Sequence, residues 1–153
     1  MNRRTLLKRT LAVSAVGVAA SAGLLTPGQV LAAYPKAAFE AKDAAGALNA
    51  ALGSGSFADS DDIKIKAPDI AENGSVVPVT VTSGMGDVES IAILADSNNT
   101  PMVASFNLNG SEAYISTRIK MGKTGNVIAV VKSGGQLYAN KKEVKVTIGG
   151  CGG

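Results

Sequence analysis

At 153 residues the chain is long enough for one domain around a single core, and it contains no His and no Trp, which removes the usual general base and the commonest imidazole metal ligand. Its formal charge of +3 comes from the front: residues 1–32 hold four of the 15 basic residues and none of the 12 acidic ones, leaving −1 on the remainder. The sequence pI of about 9.1 is thus partly a property of that leader. Beyond it no basic patch argues for nucleic acid or an anionic membrane surface, so neither is expected as a partner.

Residues 1–32 read as an export signal. Asn2 to Arg9 form a basic start, and an uncharged stretch from Leu11 to Leu25 follows. That stretch falls short of the roughly 20 mainly apolar residues that a membrane span needs. Pro27-Gly28 breaks it, and Val30-Leu31-Ala32 offers a small-residue cleavage site. Arg3-Arg4 followed by Leu6-Leu7-Lys8 resembles the twin-arginine signal, which implies delivery to the periplasm.

Past the leader, residues 36–52 are Ala-rich, with Leu48 and Leu52 four apart. They predict one amphipathic helix that starts after Pro35 and ends at Gly53. From Ile63 onward the texture is β. Ile63 to Lys66 alternates apolar and basic residues, with both lysines on the wet face. Val76 to Thr82 alternates β-branched residues around Pro78, which predicts an edge or bulged strand. Val88 to Leu94, Met102 to Leu108 and Ala113 to Met121 are further strand candidates, and Val127 to Val131 is a fully apolar run suited to a central strand. Gln136 to Ala139 and Lys142 to Ile148 close the set, with Gly134-Gly135 as a hairpin turn. Turn signals at Glu72-Asn73-Gly74, Asp96 to Asn99, Asn109 to Ser111 and Thr124 to Asn126 separate these runs. Together they predict an all-β, immunoglobulin-like antiparallel β-sandwich with an N-terminal helix over residues 33–148. Phe106, Tyr114 and Tyr138 are expected in the core or at its rim.

Most chemical motifs fail on spacing. Gly122-Lys123-Thr124 copies the end of a phosphate-binding loop, but Thr117 occupies the position that needs glycine. It lies between strands with no helix after it, so it reads as a hairpin loop. Gly84-Met85-Gly86 reads as a turn. Asp59, Asp61 and Asp62 lack the spacing and terminal Glu of a calcium hand and read as a solvated link. No carboxylate pair and no nucleophile with a base can be named, and no metal or cofactor is expected.

The last residues are different. After Ile148 the chain reads Gly149-Gly150-Cys151-Gly152-Gly153, and Cys151 is its one cysteine. A lone cysteine in an exported chain makes no internal disulfide and is a reactive thiol or an intermolecular link. Residues 149–153 read as a flexible arm, since glycine brings no side chain to pack. Extended, five residues reach roughly 15–18 Å. The thiolate is the nucleophile of sulfur chemistry and a free cysteine has a pKa near 8.5. Lys145, six residues back, carries the nearest charged side chain in sequence, so activation must come from elsewhere, which suits a carrier better than a catalyst. Glycines without Cβ atoms also suit entry into a narrow channel.

This ending resembles the signature of the SoxY family, the sulfur-carrying subunits of periplasmic thiosulfate-oxidising (Sox) systems. Ile70-Ala71-Glu72-Asn73-Gly74-Ser75-Val76-Val77-Pro78-Val79, the closing Glu143 to Ile148 and the twin-arginine leader are similar as well. The resemblance implies that Cys151 is the covalent attachment point and that Gly149, Gly150, Gly152 and Gly153 make the swinging arm. It implies that a c-type cytochrome complex joins thiosulfate to the cysteine and that a dimanganese hydrolase releases sulfate. In complete systems a sulfur dehydrogenase oxidises the remaining sulfur. It also implies a heterodimer with a SoxZ-type β-sandwich subunit. A disulfide-linked dimer through Cys151 is the expected side product.

Three other readings are open to the same residues: an exported structural β-domain crosslinked through its terminal cysteine, a ubiquitin-like sulfur carrier, and an enzyme with Cys151 as nucleophile. The second works with cytoplasmic activation and bears sulfur on a terminal thiocarboxylate, against the export signal here. The third lacks a histidine and a rigid site.

Overall fold

Alternation dictates the smaller of two sheets. In Val77–Ser83 (β4) Val77, Val79 and Val81 are buried, while Pro78 is exposed and Thr80 and Thr82 are half-buried. The period of two places the valines on one face. This strand lies between Ile63–Lys66 (β2) and Tyr114–Ile119 (β7), both antiparallel to it. The opposite face of this sheet carries Lys64, Lys66, Tyr114, Ser116 and Arg118. The computed structural model describes residues 34–148; residues 1–33, which include the expected export signal, and Gly149, Gly150, Cys151, Gly152 and Gly153, the expected arm, lie outside them.

The larger sheet runs in the order β1-β9-β8-β5-β6, with β3 also on β9. Its members are Ala58–Asp59 (β1), Ile70–Ala71 (β3), Val88–Ala95 (β5), Met102–Asn107 (β6), Gly125–Ser133 (β8) and Gln136–Val146 (β9). Residues 90–95 of β5 are all buried, because both faces of this sheet are covered. On the inner face Ile91, Ile93, Ala95, Val127, Ala129 and Val131 meet Ile63 and the valines of β4. On the outer face Ala92, Leu94, Val130, Leu137 and Ala139 meet two short helices, Lys36–Glu40 (α1) and Ala44–Leu52 (α2), through Ala38, Ala47, Leu48 and Leu52. The architecture is a two-sheet sandwich with a helical layer on one outer face.

The helical segment departs from the single helix expected over 36–52. Asp43 is extended (φ −133°), and its carboxylate accepts the Gly46 N–H at 2.7 Å. An Asp whose side chain satisfies an orphan N–H at a helix start cannot itself be helical, so it divides the segment. Gly53 (φ 82°) ends α2, its N–H bonding Asn49 O at 3.0 Å.

Four further strand-level expectations are corrected. Pro78 lies in a central strand, not an edge. It is tolerated because β2 stops at Lys66 opposite Thr80, so at Pro78 the only paired neighbour is Arg118 of β7. The runs at Gln136 and Lys142 are one continuous strand. The polar residues between them bond outward, Asn140 Nδ2 to Ile63 O and Lys142 Nζ to Ala67 O, each at 2.7 Å. The Gly122-Lys123-Thr124 loop is no hairpin, since it carries the chain from β7 in one sheet to β8 in the other. Tyr114 is exposed on the outer face of the small sheet, whereas Phe106 and Tyr138 pack against the core. Gly134 (φ 56°) and Gly135 (φ 78°) form the expected two-residue turn between β8 and β9.

Two short pairings are parallel, β1 with Tyr138 and Ala139, and β3 with Lys145 and Val146. Both lie along the outer edge of β9 and cover backbone groups that a bare edge would expose.

Candidate functional site

The described chain ends at Ile148, so the structure shows the strand end that precedes residues 149–153. Segment 69–76 grips that end, the root of the expected arm. Lys145 N–H donates to Asp69 O at 2.9 Å, Thr147 N–H to Ala71 O at 3.1 Å, and Gly74 N–H to Ile148 O at 2.9 Å. The Thr147 hydroxyl reaches Glu72 O at 3.3 Å. From the other side the Thr124 hydroxyl accepts the Val146 N–H at 2.9 Å. The grip holds its shape because Asn73 turns the chain locally, its Oδ1 accepting Ser75 N–H at 2.9 Å. The two stretches that the sequence singled out, Ile70 to Val79 and Glu143 to Ile148, are therefore hydrogen-bonded neighbours.

Gly74 also joins the root to the β7–β8 connection, because its carbonyl accepts Met121 N–H at 2.7 Å. That connection is braced against the turn after β5. Asn98 Oδ1 accepts Gly122 N–H at 2.9 Å, Asn98 Nδ2 donates to Lys120 O at 2.7 Å, and the Ser97 hydroxyl donates to Lys123 O at 2.9 Å. Asp96 closes the brace by accepting both the backbone N–H and the side-chain amide of Asn126, at 2.7 and 2.8 Å. Gly125 permits this approach, since a Cβ there would lie 2.5 Å from Ser97 Cβ and 2.6 Å from Asp96 Oδ1.

Between these loops lies a depression of about 550 Å³, lined by Lys42, Lys120, Lys123 and residues 97–100. It opens at the same end of the large sheet as the arm root. Its lining holds three lysines and no carboxylate. The acids adjacent in sequence are engaged elsewhere, Asp43 at Gly46 N–H and Asp96 at Asn126. Neither loop carried a readable signal of this pocket: Gly122-Lys123-Thr124 attracted attention for a phosphate loop it does not form, and Lys42 reaches the site only through the break between α1 and α2.

Among the described residues no group of three or more acidic, Cys or His side chains is placed to hold a metal ion. The sequence-nominated site residues Cys151, Gly149, Gly150, Gly152 and Gly153 lie outside the described part, so what the structure contributes is the anchored base from which they start.

The family model described as "Sulfur oxidation protein SoxY" matches residues 48–151, a span whose last residue is Cys151. No curated protein sequence matches the chain. Among solved structures, the sulfur carrier protein SoxY from Chlorobium limicola f thiosulfatophilum is 43% identical, with a TM-score of 0.62, over 71% of this chain and 96% of that one. A superoxide reductase (neelaredoxin) from Ignicoccus hospitalis is 21% identical, with a TM-score of 0.49, over 55% of this chain and 79% of that one. With the family pattern running from α2 to the lone cysteine, and close identity to a solved member along nearly that member's full length, the chain belongs to the SoxY family.

Proposed function

We propose that this chain is the covalent substrate carrier of thiosulfate oxidation, with Cys151 as the attachment point and Gly149, Gly150, Gly152 and Gly153 as its arm. The observation that carries the reading is the family match that ends on the chain's one cysteine. The solved SoxY is described as a sulfur carrier protein, and the hydrogen-bonded root gives an arm a fixed origin.

The chemistry balances without a catalytic group on this chain. A thiolate at Cys151 and thiosulfate form a cysteine S-thiosulfonate with loss of two electrons, which a c-type cytochrome complex accepts. Water then cleaves the terminal sulfur–sulfur bond, releasing sulfate and two protons and leaving a persulfide anion on the arm. A dimanganese hydrolase supplies that step, and in complete systems a sulfur dehydrogenase oxidises the remaining sulfur. Tethering keeps an anionic intermediate from diffusing away and presents it to each enzyme at about millimolar effective concentration. The carrier works in the periplasm after twin-arginine export of residues 1–32, as a heterodimer with a SoxZ-type subunit.

Extract of thiosulfate-oxidising cells that lack this chain provides the test. Adding the intact chain with its partner subunit restores thiosulfate-dependent cytochrome c reduction, and the Cys151→Ser chain does not. Equal restoration by Cys151→Ser overturns the reading.

A further inference from the structure

We propose that the outer face of the three-stranded sheet is where this chain meets the enzyme that receives its arm, and that the matching surface of that enzyme is acidic. This rests on the carrier reading, and it adds the face and the charge of the encounter.

The register lays the face out row by row. Lys64, Thr82 and Tyr114 share one row, Lys66, Thr80 and Ser116 the next, and Pro78 pairs with Arg118 in the third. By the period of two, these positions point away from the buried valines of β4. Val76, one residue before β4, is exposed as well. The outer face of the large sheet is covered by α1 and α2, whereas Val76, Pro78 and Tyr114 belong to neither core cluster. A depression of about 310 Å³ lies beside Lys64, Lys66, Thr80, Thr82 and Tyr114.

Charge names the partner. The outward positions of the three strands carry three cations and no carboxylate, although the residues beyond 32 sum to −1. Lys64, Lys66 and Arg118 take part in none of the ion pairs among the described residues, which are Lys36–Glu40, Lys132–Glu89 and Lys142–Asp69. Asp62 and Glu112 lie past the starts of β2 and β7, at the end of the sheet away from Gly74. An acidic surface is steered toward this face and pairs with it. A second copy of the chain is not, because two-fold packing sets cations against cations. Tyr114 and Arg118 add the side-chain types that anchor protein contacts. Exposed lysines and a hydroxyl pair, Thr80 with Ser116 at 3.1 Å, suit an encounter that forms and breaks at each turnover. A permanent subunit interface is larger and more apolar.

Position links the face to the arm. Gly74 N–H donates to Ile148 O, and Val76 follows two residues later, at most about 7 Å along the chain. The three residues from Ile148 to Cys151 span about 10–11 Å when extended. The near edge of a protein seated on this face therefore lies within reach of the thiol.

The experiment adds the full chain with its partner subunit to extract of thiosulfate-oxidising cells that lack it. Initial rates of thiosulfate-dependent cytochrome c reduction are followed against carrier concentration. Lys64→Glu/Arg118→Glu is compared with Lys36→Glu/Lys141→Glu, which changes the net charge equally at exposed positions off this sheet. At about 0.01 M salt the first pair is expected to lower kcat/KM for the carrier by about tenfold or more, with kcat at saturation kept. The deficit shrinks at about 0.15 M salt, where the Debye length is about 8 Å, and the control pair stays near wild type. Equal behaviour of the two pairs at low salt overturns the proposal. So does a Lys64→Glu/Arg118→Glu chain that no longer holds its partner subunit, because the face would then be that subunit's seat. Iodoacetamide labelling of Cys151 at the wild-type rate separates a lost encounter from a damaged arm; slowed labelling that accounts for the lost rate overturns the proposal. A wild-type chain that restores no reduction strikes the carrier reading, and this proposal with it.

Discussion

Gly125 shows how much of the lysine basin depends on one missing methyl. Its Cα lies where the chain enters β8, directly under the turn at Asp96 and Ser97, with room for no side-chain atom. Gly125→Ala must push that turn away, straining the Asp96–Asn126 and Ser97–Lys123 bonds together. Overpacking of this kind costs about 1–3 kcal/mol. The expected outcome is a lower urea midpoint with an unchanged slope, while Gly84→Ala, at a glycine with open space around it, moves the midpoint little. The sequence offered no hint of this role, because a glycine after Lys123-Thr124 reads as ordinary turn composition. Close approach is a property of two loops nearly 30 residues apart. Cys151, by contrast, stands out in the sequence as the chain's one cysteine, set among four glycines.

The elements were readable where a period ran for four residues or more. Ile63 to Lys66 and Val77 to Thr82 carry a clean alternation, and the unbroken burial of β5 follows from the apolar run Ile91 to Ala95. The two-residue strands β1 and β3 have no period to read, and their parallel pairing with β9 is decided by the long-range bonds that seat the arm root. The helix expected over 36–52 broke because Asp43 caps the second half, a local competition that Ala-rich propensity cannot overrule. What α2 does was hidden as well: it covers the outer face of the large sheet, with Leu48 fully buried against residues that include Leu94 and Val130. Leu48→Ala therefore opens a cavity beneath a short helix and is expected to destabilise the domain by about 2–5 kcal/mol. Calorimetry should show the melting temperature falling for the whole domain in one transition; loss of helix alone, with the sheet melting unchanged, would mean that the helical layer is not part of the core.

At the scale of the molecule, the two sheets and their helical layer hold the strand end that leads into residues 149–153, the segment proposed as the carrier arm. β9 runs 11 residues through the large sheet, is covered at both ends of its outer edge, and delivers Ile148 into the grip of Gly74 and Ala71. A sandwich whose last strand end is held by hydrogen bonds suits the proposed chemistry supplied by visiting enzymes. The most direct measurement is the intact mass of this protein recovered from cells oxidising thiosulfate. The account predicts forms heavier by one sulfur atom or by a thiosulfonate group, absent without thiosulfate and absent from the Cys151→Ser chain. A chain that keeps its unmodified mass throughout active thiosulfate oxidation would contradict it.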